Sequence, residues 1–330
     1  MKVVITGGAG FIGSNLTRQW VLGHPEDSVT VLDLLTYAGR RESLSDLDAR
    51  PNFHFVRGDV AEPATVRAAL KGCELLIHLA AETHNDRAIA DPTPFIRTNI
   101  VGTSTVLEAC RALDVPRAHF VSTDEVFGAL ELGDPRRFTE ESPYQPRGPY
   151  SASKAAGDHL VRAWHVTYGL PVTLSNCSNN FGPFQFPEKL ISLAITRLLR
   201  GQTVPLYGDG RHVRDWIYVE DHCRALELIA RRGTIGATYL ISAEMELDNR
   251  TVLERLLPHV GRDASAIVPV PDRLGHDRRY ALDPRRVKEE LGWAPQHDFD
   301  SALAATVEWY RSHASWWDPL VVPATGARSP

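Results

Sequence analysis

The chain is poor in cysteine: Cys73, Cys110, Cys177 and Cys223 are scattered through 330 residues with no CxxC pair. That spacing offers neither a disulfide framework nor a cysteine zinc site, and it fits a reducing, cytoplasmic compartment. No apolar run approaches membrane-spanning length, and the opening MKVVITGGAGFIGS reads as no signal peptide because glycines interrupt its apolar stretch. Charge of one sign is also lacking. Lys and Arg total 36 against 41 Asp and Glu, a formal −5 with the signs interspersed, which leaves no basic face for nucleic acid or an anionic membrane. The 13 histidines form no ligand-like cluster in sequence, so no metal is expected. There is no internal repeat. What is present is apolar content of 43%, ample for a packed core, in a chain whose partner is expected to be a small molecule.

Short β-branched runs, KVVIT, VTVLD, FHFV, ELLIHLA, AHFVS and PVTLSN, alternate with helical patterns near residues 11 to 22, 63 to 71, 94 to 113 and 151 to 168. This βαβ rhythm predicts a Rossmann-type α/β fold with a doubly wound parallel sheet. Beyond about residue 180, Pro and Gly become frequent, and helix patterns near 188 to 200, 219 to 232, 249 to 259 and 300 to 313 sit among longer connections. The expected division is a cofactor-binding domain over 1–178 carrying the catalytic residues and a smaller mixed α/β lobe over 179–320. The two have an interleaved boundary, and a disordered tail follows over 321–330.

The first chemical signal is VVITGGAGFIGS, where Gly7, Gly10 and Gly13 follow a strand and open a helix. Glycines allow a tight turn and close approach of a pyrophosphate to the helix N-terminus. Asp33 ends the next strand 20 residues beyond Gly13, where an acid grips a ribose diol and disfavours a 2′-phosphate, so NAD is expected rather than NADP. Asp59 ends the third strand and is placed against the adenine edge. The second signal is YSASK: Tyr150 and Lys154 share one helical face, and an ammonium, helped by a positively charged nicotinamide ring, favours a phenolate able to take a proton from a substrate hydroxyl. The third is STDEVFG after the apolar run AHFV, which sets Asp124 and Glu125 side by side at a strand end beside Thr123. Two like charges at the mouth of a sheet read as a general acid and a general base.

The glycine loop, TNIVGT, the strand-end Thr and YxxxK resemble the extended short-chain dehydrogenase/reductase superfamily. Within it, LDLLTYAG, HLAAETHNDRAI, STDEVFG, PYSASKA, NCSNNFGPFQFPEKLI, PLYGDGRHVRDWIYVEDH and LGHDRRYALD are similar to the dTDP-glucose 4,6-dehydratase family from residue 1 to about 318. The resemblance implies an NAD-dependent hydro-lyase of deoxysugar biosynthesis acting on dTDP-glucose: oxidation at C4, loss of water across C5 and C6, and return of the hydride to C6. It makes Glu125 the C5 base, Asp124 the acid at O6, and Thr123 the partner of Tyr150 at the C4 oxygen. It adds Phe11, Ile12, Ala80 and Asn99 to the cofactor contacts. Thr83, His84, Arg87, Asn179, Glu188, Lys189, Leu190, Pro205, Tyr207, Arg214, Asn249 and His276 become substrate contacts, with Arg214 and Asn249 at the diphosphate and Pro205 and Tyr207 at the pyrimidine. Arg278 and Tyr280 are further candidates in the closing lobe. The helices near 94 to 113 and 151 to 168 resemble the family's four-helix dimer interface, implying a homodimer.

Three positions depart from that family's pattern: Phe127 in place of Tyr, Asn85 in place of a small apolar residue, and Gly148 in place of Ser. These leave open a 4,6-dehydratase of another nucleotide-glucose such as UDP-glucose. A nucleotide-sugar 4-epimerase would share Tyr150, Lys154 and NAD but has no use for an adjacent acid and base.

Overall fold

The computed structural model describes residues 1–272 and 276–321. The six strands expected in the first half form as β1 (Lys2–Thr6), β2 (Ser28–Asp33), β3 (Phe53–Arg57), β4 (Leu75–His78), β5 (Ala118–Thr123) and β6 (Val172–Cys177). β1 and β4 are buried almost end to end. Near-continuous apolar runs, not alternating ones, are what a parallel sheet covered on both faces requires. The four expected helices lie at Phe11–Gly23, Pro63–Leu70, residues 93–112 and Pro149–Tyr168. The third is continuous but widens into a π-helical stretch at Ile96–Gly102. Pro149 starts the fourth, and Gly169, at φ 68°, ends it in the left-handed conformation that glycine adopts without penalty.

The main sheet has seven parallel strands in the order β10-β6-β5-β4-β1-β2-β3. Its seventh member, β10 (Thr238–Ile241), comes from beyond residue 178 and pairs with β6. The helix Val219–Arg232 likewise returns, packing Cys223, Leu226 and Ile229 into the same core as Leu16 and Trp20. The chain past residue 178 therefore serves both halves. The second lobe is built from β7 (Asn179–Phe181), β8 (Val204–Tyr207), β9 (Val213–Tyr218), β11 (Glu246–Asp248) and β12 (Ile267–Val270). The helices Leu190–Leu199, Asn249–Leu256 and Phe299–Ser312 share a second apolar core around Phe181, Leu303 and Tyr310. The expected tail past Val321 lies outside the described residues.

Strand order reverses between β1 and β4. At such a switch point the loops leaving the strand ends diverge and open a crevice. The glycine loop after β1, the loop after β4 and the turn after β5 all face it.

Candidate active site

A cavity of about 720 Å³ runs from the glycine loop to the second lobe. Gly13 shows why the loop needs glycine: a Cβ there would lie 2.1 Å from the Gly7 carbonyl oxygen, and one on Gly7, at φ 71°, would lie 2.6 Å from the Ala80 nitrogen. The backbone of this cradle closes on itself with no room for side chains, leaving its amide edge to the cavity. Asp33 lies on the wall, its two oxygens accepting the Ala9 and Leu35 amides at 2.9 and 2.8 Å. It thus anchors the loop whose ligand it is expected to help hold. Burial raises its pKa above the ordinary carboxyl range, against the pull of those two amides. Asp59 also lines the cavity, tied to Arg97 at 2.9 Å.

Beyond the loop, β5 delivers Thr123, Asp124 and Glu125 together. Thr123 caps the 3-10 turn Asp124–Phe127: its hydroxyl accepts the Glu125 amide at 3.3 Å and donates to Asp124 Oδ1 at 3.2 Å. Asp124 is 2% exposed, and its Oδ2 has no hydrogen-bond partner. Burial first, then the neighbouring Glu125 charge, raises its pKa well above the usual range, with Arg214 and Thr123 pulling the other way. A carboxyl held towards its protonated form, with one oxygen unengaged on a cavity wall, suits the role of proton donor. Glu125, also on the wall, accepts the side-chain amide of Asn85 at Oε2, 3.0 Å away.

Tyr150 and Lys154 project from the fourth helix onto the same wall. Lys154 Nζ donates to the Val121 carbonyl at 2.8 Å, and burial lowers its pKa. Tyr150 bonds the Thr83 side chain, yet burial and the Glu125 charge raise its phenol above the ordinary value. In the protein alone Lys154 does not offset these effects, and the phenol is held towards its neutral form. A cationic ligand beside the phenol has to supply the rest.

The remaining expected contacts, from Phe11, Ile12 and Ala80 to Thr83, His84, Asn179, Glu188, Lys189 and Leu190, all line the cavity. So do Pro205, Tyr207, Arg214, Asn249, His276 and Tyr280. Arg214 is fixed at its far end, donating to the Val213 and Asp277 carbonyls at 2.8 and 2.9 Å while lying over the Tyr280 ring. Three residues are placed otherwise. Asn99, 2% exposed, does not reach the wall: its amide brackets the Glu82 backbone at 2.9 and 3.0 Å and donates to Ser153. It braces the loop after β4 against the Tyr150 helix. Arg87 is not on the wall itself but lies 3.6 Å over the ring of Tyr37, which is. Arg278 pairs with Asp209 and is also off the wall.

Sequence reasoning missed Tyr37 and Glu82. Tyr37 donates to Glu188 at 2.8 Å, joining the loop after β2 to the second lobe, and burial raises the pKa of both Glu188 and Glu82. The only signal was LDLLTYAG itself, which carries Tyr37 without showing its partner. The histidines are also less scattered than the sequence suggests, since ligand atoms of His212, Asp272 and His276 lie within 4.8 Å of one another. The two imidazoles stack at 3.7 Å, and Arg278 stands 3.4 Å from His212 Nε2, a cation where a metal would have to approach.

Residues 4–306 match the family model described as GDP-mannose 4,6 dehydratase. A dTDP-glucose 4,6-dehydratase of Mycobacterium tuberculosis is 52% identical over 99% of this chain and 98% of its own length. A dTDP-glucose 4,6-dehydratase from Streptomyces venezuelae, solved with NAD bound, superposes with a TM-score of 0.94 at 47% identity, covering 97% of this chain and 100% of that one. One from Bacillus anthracis, in complex with NAD, gives 0.91 at 39%, covering 97% and 100%.

Proposed function

Because the chain belongs to the dTDP-glucose 4,6-dehydratases of the extended short-chain dehydrogenase/reductase superfamily, we propose that its cavity binds NAD and dTDP-glucose and assigns each chemical step to a named side chain. The product is dTDP-4-keto-6-deoxyglucose. The observation that carries this reading is the pairing, on one cavity wall, of a buried Asp124 held towards its protonated form with Glu125 one residue on.

The glycine cradle, Asp33 and the wall formed by Phe11, Ile12 and Ala80 fit a dinucleotide, whose pyrophosphate Gly10, Gly13 and the helix N-terminus would hold. When bound, NAD supplies the hydride acceptor for C4, the donor for C6, and a cationic ring that favours the Tyr150 phenolate. Tyr150 accepts the C4 hydroxyl proton while Thr123 hydrogen-bonds the same oxygen. The resulting ketone acidifies the C5 hydrogen. Glu125 takes that proton, the C5–H electrons form the C5–C6 double bond, the C6–O bond breaks, and Asp124 protonates the departing hydroxyl to water; C6 then takes back the hydride and C5 a proton exchangeable with solvent, which gives the 4-keto-6-deoxy product. A 4-epimerase reading leaves Asp124 and Glu125 without a role. Arg214 and Asn249 hold the diphosphate, and Glu188, Lys189 and His276 close on the sugar nucleotide.

Asp124→Asn keeps the shape and neutrality of the acid but has no carboxyl proton to give. Elimination should slow by about 10²-fold, within the usual range for one acid–base group. The sign of the pH effect follows from the raised pKa: the wild type loses turnover as pH rises through the Asp124 titration, and the variant should lose that limb. A kcat against pH profile with the limb unchanged would remove Asp124 from the acid role.

No helix among the described residues is long and apolar enough to cross a membrane. The cytoplasm is the proposed location. The helices at 93–112 and Pro149–Tyr168 pack together and leave Ile96, Val101 and Val166 exposed, Val166 at 83%. A homodimer through these helices is proposed because apolar side chains left exposed on them gain by burial against a second copy. Light scattering behind gel filtration should give twice the 36.6 kDa chain mass. A monomer mass across a concentration series would count against it.

A further inference from the structure

We infer that Asn85 is a positioning residue for elimination, holding Glu125 in the orientation that receives the C5 proton; this rests on the dehydratase reading above. Glu125 leaves a 3-10 turn that fixes its backbone but not its three side-chain torsions. The hydrogen bond from Asn85 Nδ2 to Oε2, at 3.0 Å, restrains the far end of that side chain. With one oxygen engaged, the other is left to take a proton. An amide suits the task because it donates without carrying a charge of its own, so it restrains a carboxylate without forming an ion pair that would hold the base too strongly.

The backbone is arranged to bring Asn85 there. It opens the short helix Asn85–Ala90, and the residue before it, His84, sits at φ 83°, a conformation uncommon for a side chain with a Cβ. Strain of that kind persists where surrounding contacts over-determine it, and here it sets the direction in which the helix leaves β4's loop. Gly148 lies beside it: a Cβ there would meet Asn85 Oδ1 at 3.8 Å, so position 148 borders the amide. Asn85, Gly148 and Glu125 all line the one cavity. The polar group at position 85 and the bare position 148 thus belong to the same arrangement around the base.

Asn85→Val removes the donor at similar volume. Asn85→Asp keeps the shape and replaces the donor with a like charge. The expected result is a kcat for dTDP-glucose about tenfold lower for Val and lower still for Asp, with KM within about twofold. The step affected must be elimination. In a single turnover the absorbance of reduced nicotinamide at 340 nm should build up higher and decay more slowly than in wild type, and the kinetic isotope effect with 5-deuterated dTDP-glucose should increase. Unchanged kcat, or a fall in kcat with neither build-up nor a larger isotope effect, overturns the inference. Glu125→Gln, run alongside, separates the two levels. If it builds up reduced nicotinamide and the Asn85 variants do not, only the role of Asn85 fails. If it does not, Glu125 as base fails, and Asn85 with it.

Discussion

Glu125→Gln should bind NAD and dTDP-glucose with unchanged affinity while kcat for water loss falls about 10³-fold, within the range that a positioned general base contributes. The amide retains the shape of the side chain and its acceptor oxygen, so the cavity that Asn85, Asp124 and Tyr150 share is preserved. What is lost is the only step Glu125 performs. Oxidation at C4 goes through Tyr150 and Thr123, and should continue until the reduced cofactor and the ketone accumulate together. The distinguishing readout is therefore a persistent 340 nm absorbance in a single turnover, with exchange of the C5 hydrogen abolished. A variant that is slow because it folds poorly would lose the exchange but show no such absorbance.

Tyr150→Phe should give the opposite signature. Removing the phenolic oxygen leaves the C4 hydroxyl proton without an acceptor, so turnover should fall by at least about 10²-fold and no reduced nicotinamide should appear at any time. The structure adds a condition to that expectation. In the protein alone, burial and the Glu125 charge hold the phenol in its neutral form. Lys154 is itself depressed by burial and donates to the Val121 carbonyl. The ionised phenol is thus a property of the complex, and phenolate absorbance near 295 nm at neutral pH should be absent from ligand-free wild type. Lys154→Met should slow the same oxidation, because the helix would then present the phenol with no fixed cation behind it.

Much of the site was legible because its chemistry is local in sequence. The glycine loop, Asp33, the STDEVFG turn and YSASK each lie within one strand end or helix turn, so spacing alone places their side chains. What spacing could not give were partners far along the chain. Asn99 looked like a cofactor contact until Glu82 and Ser153, 17 and 54 residues away, were seen to take its amide. Arg87 was assigned to substrate because nothing in AETHNDRAI reveals the Tyr37 ring beneath it. Tyr37 was overlooked for the same reason, its hydrogen-bond partner Glu188 being 151 residues distant. In the fold, β10 escaped notice because TYLI is a four-residue run with no pattern of its own, and it becomes a strand only by adding to the edge of β6. The helix Asn85–Ala90 is six residues long and polar, below what periodicity detects. It is also the helix that carries Asn85 to the base.

The central claim is that Asp124 and Glu125 remove water across C5 and C6. The most direct test incubates the purified protein with dTDP-glucose in heavy water without added cofactor and reads the product by mass spectrometry and NMR. The account predicts loss of one water, a 4-keto-6-deoxy sugar, and deuterium at C5. Appearance of dTDP-galactose with no deuterium on carbon would contradict it.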